Sequence, residues 1–447
     1  MYNPDHTPTY NLKAVVQETG LKPDTLRAWE RRYGLPHPER TESGHRLYSQ
    51  RDIDMLKWLV ARQDEGMSIS RAVELWTALT RDGHDPLQSA EFFTTSPVVE
   101  IVTTLPEGDV LTNLRREWVS ACIAFDEIKA EHILNQAFAL YQVETVCLEL
   151  LLKGLVQIGD GWYKGDITVQ QEHFASELAI RRLETLLTAS PIPTRNGRIL
   201  IGCPPEENHT FGPLLLTLFL RRRGWNVLYL GANVPVDRLK ATINTVKPNL
   251  VILIAQQLIT AANLLKMSRV LMAMRIPLAY GGRIFNRLPE LRGRIPGYFL
   301  GERLDEAAPN VEQWLTSSNL LKPVTESEPI PEACQHALNV YQEKQSVIEA
   351  DVWQALGEAD LPPSCLNDNN RILAHSIAAA LSLGDLNYLN TDVAWGEKLL
   401  SHYSLPPEML TEYLRIYHRA VQSQLDERGE PIVTWIQGQI KIYEAKN

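Results

Sequence analysis

Apolar positions along the chain recur with two different periods, and the switches between them divide the sequence into segments. Near the start, Leu12, Val15 and Val16 mark a short helix that Gly20 stops. A second begins at Lys22-Pro23-Asp24, where Pro23 suits an early helical position and Asp24 the first turn. In it Leu26 and Trp29 face inward, whereas Arg27 and Arg31 lie four apart on one exposed face. Two short helices around a glycine-containing turn make a helix-turn-helix candidate. Gly34, Pro36 and Pro38 then break the helical pattern, and Glu42-Ser43-Gly44 can turn a small β-wing. The stretch from about 80 to 95 reads as a linker.

From about 107 to 190 the spacing is helical almost throughout, broken near Gly165, and predicts four helices that bury their stripes in a bundle. Past a proline-containing SPIPTR stretch the period changes. RILIGCPP, WNVLYLGANVP, PNLVILIAQQ and IPLAYGGR are short apolar strands alternating with amphipathic helices, and GYFLGE adds an edge strand. That alternation predicts a mostly parallel, doubly wound sheet, whose ligands sit beyond the strand C-termini. After the Pro- and Glu-rich KPVTESEPIPE linker, segments from ACQHALNVYQ onward, including DVAWGEKLLSHY, predict additional helices. The expected fold is multidomain: a winged helix-turn-helix over 1–80, a four-helix bundle over 95–192, a doubly wound α/β domain over 196–320 and a C-terminal helical domain over 333–447.

Composition adds bounds. With 447 residues the chain exceeds one ordinary core. A formal charge of -10 argues against a surface basic all over and leaves room for a local basic footprint. The five cysteines contain no CxxC pair, which argues against a disulfide framework or structural zinc and fits a reducing compartment. The opening MYNPDHTPTYNL lacks a secretory pattern, and LLLTLFL and VILIA fall far below the roughly 20 apolar residues a span needs. A cytoplasmic protein without a membrane partner is expected.

The chemistry concentrates in three places. At the N-terminus, Arg40, His45, Arg46 and Tyr48 would present donors to a phosphate backbone beside the helix carrying Arg27 and Arg31. The order of RAWERRYG followed by RTESGHRLYS resembles the MerR family over about residues 8–78. The resemblance implies dimeric binding to double-stranded operator DNA, with Arg27 and Arg31 in the major groove and the wing around Arg46 on the backbone. By the same resemblance Tyr48 supports or contacts the wing-side phosphate site, and Trp76 belongs to a helical hairpin, as core.

The second place is EENHTFG, with Glu207, His209 and Gly212. A neutral imidazole supplies a nitrogen ligand, a nearby carboxylate fixes its tautomer, and a glycine admits a bulky group. From this element to YGGRIFN the sequence resembles the B12-binding domains of methionine synthase, mutases and light-responsive regulators. The resemblance implies that His209 ligates the cobalt of cobalamin, that Glu207 stands behind it, and that Gly281 and Gly282 pack against the nucleotide tail. The family's Ser/Thr after the third strand is replaced here by Gln256 and Gln257, either of which could supply the hydrogen bond.

The third place is WYKGDITVQQEH, where Trp162 precedes Glu172 and His173; an indole can cover an organic ligand while the polar pair faces its polar part. This spacing resembles the adenosylcobalamin-binding MerR photoreceptors, often called the CarH or LitR family, and implies adenosylcobalamin as cofactor. Those light sensors carry a histidine directly after the tryptophan; Tyr163 stands there instead, so His132, His173 or water would take the vacated cobalt site. The resulting expectation is a non-enzymatic, oligomeric DNA-binding regulator controlled by adenosylcobalamin and light, with the C-terminal helices open to a protein partner. The alternatives are a light-independent cobalamin sensor, a cofactor-free scaffold regulator and a cobalamin-dependent methyltransferase component.

Overall fold

The computed structural model describes residues 8–41, 44, 46–64, 69–81, 107–316, 322, 324, 326–358, 363–390, 406 and 408–445. The linker expected near 80–95, the wing residue His45 and the helix expected at DVAWGEKLLSHY lie wholly or almost wholly outside them. The chain forms two compact units, Met1–Ser190 and Pro191–Asn447.

The first unit opens with β1 (Tyr10–Asn11), α1 (Leu12–Thr19), α2 (Pro23–Tyr33), β2 (Glu39–Arg40), β3 (Arg46–Tyr48), α3 (Gln50–Asp64) and α4 (Ile69–Arg81). The Asn11 side chain caps α1 by accepting from Ala14 N–H, and both α1 and α2 end on left-handed glycines, Gly20 and Gly34. The wing is antiparallel, with Arg40 opposite Arg46, and gains a strand not expected from sequence: Tyr10 of β1 pairs with Tyr48. Ser49 and Asp52 exchange hydrogen bonds at the start of α3. Leu26, Trp29, Tyr48, Trp58 and Trp76 share one core, the rings of Trp58 and Trp76 meeting edge-on at 5.4 Å.

The same unit continues with α5 (Glu107–Ile123), α6 (Glu127–Leu140), α7 (Val143–Thr145), a π-helical stretch (Val146–Leu152), α8 (Lys153–Lys164) and α9 (Val169–Thr188). The segments from α7 to α8 run on without a break, so residues 107–188 form four helices that pack on one another. Arg115 donates to the Glu149 carbonyl in the π-helical stretch, supplying a partner where the regular ladder is interrupted. Buried Arg62 of α3 donates to the carbonyls of Phe138, at 2.6 Å, and Ala139, at 3.1 Å. These lie at the C-terminal end of α6, where carbonyls lack helical partners and a cation is favoured. One arginine thus fastens the helix-turn-helix head to the bundle.

The second unit contains β4 (Arg198–Gly202), α10 (Phe211–Arg222), β5 (Asn226–Tyr229), α11 (Leu239–Val246), β6 (Leu250–Ile254), α12 (Leu258–Ala273), β7 (Leu278–Gly281), α13 (Arg283–Arg287), β8 (Tyr298–Phe299) and α14 (Leu304–Thr316). The strands are parallel in the order β5-β4-β6-β7-β8. The chain leaves β4 in one direction and returns on its other side at β6, so the crevice over their C-terminal ends is a topological switch point.

Among the described residues that follow, the helices are α15 (Glu332–Glu358), α16 (Pro363–Leu383), α17 (Glu408–Gln424) and α18 (Glu430–Glu444). They share a single buried apolar cluster with the α/β layers, joining Tyr341, Ile377, Leu381, Tyr417 and Ile436 to Leu264, Met267 and Leu271. Consequently α12 is buried on nearly all sides, between the sheet and this extra layer. The segment before α15 is tied down as well, since Glu328 N–H donates to the Gly293 carbonyl and Arg294 bonds the Pro329 carbonyl.

Candidate functional site

The loop after β4 builds its geometry around one carboxylate. Glu207 is 0% exposed, yet its two oxygens accept four hydrogen bonds. Oε1 takes the backbone N–H of His209 at 3.0 Å and faces His209 Nδ1 at 2.6 Å. Oε2 takes the Gln256 N–H at 2.6 Å and the Thr260 hydroxyl at 2.7 Å. Burial pushes the carboxyl up, but the bonds from His209, Gln256 and Thr260 outweigh it and hold the group below the usual carboxylate range. An ionised carboxylate only accepts, so His209 Nδ1 carries a proton, and in the neutral form of the ring this tautomer leaves the lone pair on Nε2. The imidazole side chain is 60% exposed. This is the donor chemistry of a histidine metal ligand with a carboxylate behind it.

The surroundings fit a bulky group on that nitrogen. A Cβ built on Gly212 meets nothing within 4 Å, so the start of α10 stands beside open space. Gly282 has φ +119°, and a Cβ there would fall 1.9 Å from the Ala255 carbonyl oxygen. Gly281, in β7, is buried, and a Cβ there would approach Leu300 to 3.2 Å. The Gly281-Gly282 turn thus lies directly against the end of β6. Gln256 bridges the same two loops, its Oε1 accepting from Arg283 N–H at 2.8 Å, whereas Gln257 caps α12 with Thr260. Sequence reading missed Thr260, although the Gln257-x-x-Thr260 capping pattern marks it. It also missed Asn263, whose Nδ2 donates to the Pro205 carbonyl and to Glu206.

In the bundle, Trp162 and Tyr163 close α8 and are 39% and 43% exposed. Across the Gly165 turn, Glu172 of α9 accepts from the Ser176 hydroxyl and lies 2.7 Å from His173 Nδ1. Phe125, Ile128 and Val169 are exposed at the same end, where Gln171 donates to the Ile123 carbonyl and the Phe125 and Phe174 rings stand 5.4 Å apart. This end is therefore an apolar face with a tryptophan and an organised Glu–His pair, suited to covering an organic group. His132 is an exposed residue of α6.

In the head, Arg27 and Arg31 are exposed on α2, Arg27 paired with Asp24 at 3.1 Å. Arg46 makes a two-point contact with Glu30 of α2, at 2.8 and 3.3 Å, which fixes the wing to that helix. Tyr48 is 1% exposed in the head core. Of the two roles expected for it, this burial accords with support of the wing and removes it from the set of surface donors.

Fold and loops together define a helix-turn-helix regulator that carries a B12-binding domain. Residues 10–79 match the model for MerR HTH family regulatory proteins, and residues 114–187 that for the B12 binding domain. The chain is 31% identical over 249 residues to the HTH-type transcriptional repressor CarH of Myxococcus xanthus, an alignment covering 54% of this chain and 77% of that protein. It is 32% identical over 249 residues to the HTH-type transcriptional repressor CarA of the same organism, covering 55% and 76%. Over 152 residues it is 42% identical to the HTH-type transcriptional regulator MlrA of Escherichia coli (strain K12), covering 34% and 58%. The chain belongs to the MerR-type family of CarH and CarA, a family of cobalamin-linked DNA-binding regulators.

Proposed function

We propose that the protein is a transcription regulator whose hold on operator DNA is set by adenosylcobalamin and by light. The observation that carries this reading is the Glu207–His209 pair, a buried ionised carboxylate that fixes an exposed imidazole in the metal-ligating tautomer. In this reading His209 holds cobalt, Gly281, Gly282 and Gln256 shape the tail pocket, and Trp162, Glu172 and His173 read the adenosyl group. Bound adenosylcobalamin would supply a light-cleavable cobalt–carbon bond. Arg27, Arg31 and Arg46 engage DNA, and assembly into a homo-oligomer multiplies heads on one operator. Ligand control requires that the cofactor favour one conformation or assembly over another.

The test compares DNA affinity and oligomer size in apo, dark-loaded and illuminated samples of the full chain. A change on loading and a second on green illumination supports the reading; identical values in all three reject it. Tyr163 specifically favours a second reading, a cobalamin sensor indifferent to light, because a phenol is a weaker cobalt ligand than the histidine light sensors carry there. That reading expects the first change without the second.

A further inference from the structure

The helix that holds the cobalt-ligand loop is itself encased by the C-terminal helices. On one side of α12, Thr260 donates to Glu207, and Asn263 donates to the Pro205 carbonyl at 3.1 Å and to Glu206 Oε1 at 3.2 Å. Elsewhere on α12, Leu264, Leu265, Met267 and Leu271 enter the apolar cluster that also contains Tyr341, Ile348, Ile377 and Leu381. In an open doubly wound sheet the outer face of such a helix meets water and carries polar residues. Here that face is apolar and covered.

A direct contact reaches the loop as well. His375 of α16 places Nδ1 3.7 Å from Glu206 Oε2, an ion-pair distance when the ring is protonated. Glu206 sits in a left-handed conformation, φ 68°, and its N–H donates to Asn233 Oδ1 at 2.6 Å. A strained loop persists only where its neighbours hold it, and two of the elements holding this one are α12 and α16.

We infer that the C-terminal helical layer is a positioning element for the His209 loop, acting through α12 and the His375–Glu206 contact, so that cobalamin loading is transmitted to that layer. This rests on the assignment of His209 as cobalt ligand. Packed layers with discrete arrangements carry such coupling, and by linkage whatever the layer binds must in turn change cobalamin affinity.

The experiment uses the full chain with adenosylcobalamin in the dark. Wild type, His375→Ala, His375→Gln, Glu206→Ala and the exposed control His336→Ala are compared for cofactor affinity. Separate samples of the same proteins, carrying isotope-labelled histidine, are loaded with cob(II)alamin supplied already reduced, and its EPR spectrum reports whether a protein imidazole is the axial ligand. Backbone hydrogen exchange of α16 is followed with and without cofactor. The expected result is weaker binding with a reduced histidine-ligated signal in His375→Ala and Glu206→Ala, because each variant removes the contact that ties α16 to the loop. Partial rescue in His375→Gln, wild-type behaviour in His336→Ala and slowed exchange in α16 on loading complete it. Unchanged affinity and axial signal in both alanine variants, with α16 exchange indifferent to cofactor, overturns the inference while leaving the cobalamin reading intact. A wild-type protein that retains no cobalamin removes that reading, and the inference falls with it.

Discussion

The ring nitrogen Nδ1 of His209 lies 2.6 Å from Oε1 of Glu207, a carboxylate with no exposure to solvent. Because the folded-state pKa of Glu207 is depressed, its contribution to stability is present above the ordinary carboxylate pKa and is lost as pH falls through the lowered folded value. Glu207→Gln is therefore expected to lower the melting temperature of the apo protein at neutral pH, with the gap to wild type narrowing on acidification through and below the ordinary carboxylate range. Melting curves across that range check it; a gap independent of pH contradicts it. Cobalamin affinity of the same variant should fall about 10–100-fold.

The two glycine positions separate folding from binding. Gly282→Ala combines a left-handed backbone with a Cβ driven onto the Ala255 carbonyl, so it should cost at least about 1–3 kcal/mol of stability. Gly212→Ala meets nothing within 4 Å and should melt like wild type, any defect appearing only in cofactor retention. Denaturant titration of both apo variants decides the matter.

For the head, Arg27→Ala and Arg31→Ala should each weaken operator binding. If either contacts phosphate, its loss acts on all sequences alike and lowers the salt slope by about 1. Glu30→Ala acts differently, because it frees Arg46 and unfastens the wing from α2. A double-mutant cycle between Glu30 and Arg46 in DNA binding should show coupling, whereas Arg27 and Arg46 should add independently. Tyr48→Ala should behave as a core truncation, costing about 3–5 kcal/mol.

Arg62 is the seam between head and bundle within the first unit. Removing a buried cation that serves two helix-end carbonyls forfeits charge-assisted hydrogen bonds worth about 1.5–3 kcal/mol each. Arg62→Ala should reduce stability and, in loaded protein, uncouple DNA affinity from cofactor state; calorimetry and DNA titration with and without cofactor report the two effects separately. Retained cofactor control of DNA binding in this variant would show that the seam does not carry the signal.

Much of this architecture was legible because local signals agreed with the fold. Pro23 and Gly34 bracket α2, short apolar runs mark the parallel strands, and Gly281-Gly282 occurs where two loops collide. What escaped was set by tertiary contact. Burial of Tyr48 depends on pairing with Tyr10, a strand of two residues too short to leave a pattern. The Glu30–Arg46 and Arg62–Phe138 contacts join positions far apart in the chain, which no periodicity links. The covering of α12 did have a signal: LITAANLLKMSRVLMA offers no continuous polar face, which an outer helix of an open sheet requires.

The central claim is tested most directly by the absorption spectrum of the purified protein after dark incubation with adenosylcobalamin and removal of free cofactor, taken for wild type and His209→Ala and repeated under green light. Wild type should retain the cofactor and His209→Ala should lose it or hold it without histidine ligation, with illumination altering the wild-type spectrum. Wild-type protein that emerges colourless, or a His209→Ala variant with an unchanged bound spectrum, would contradict the assignment of His209 as cobalt ligand.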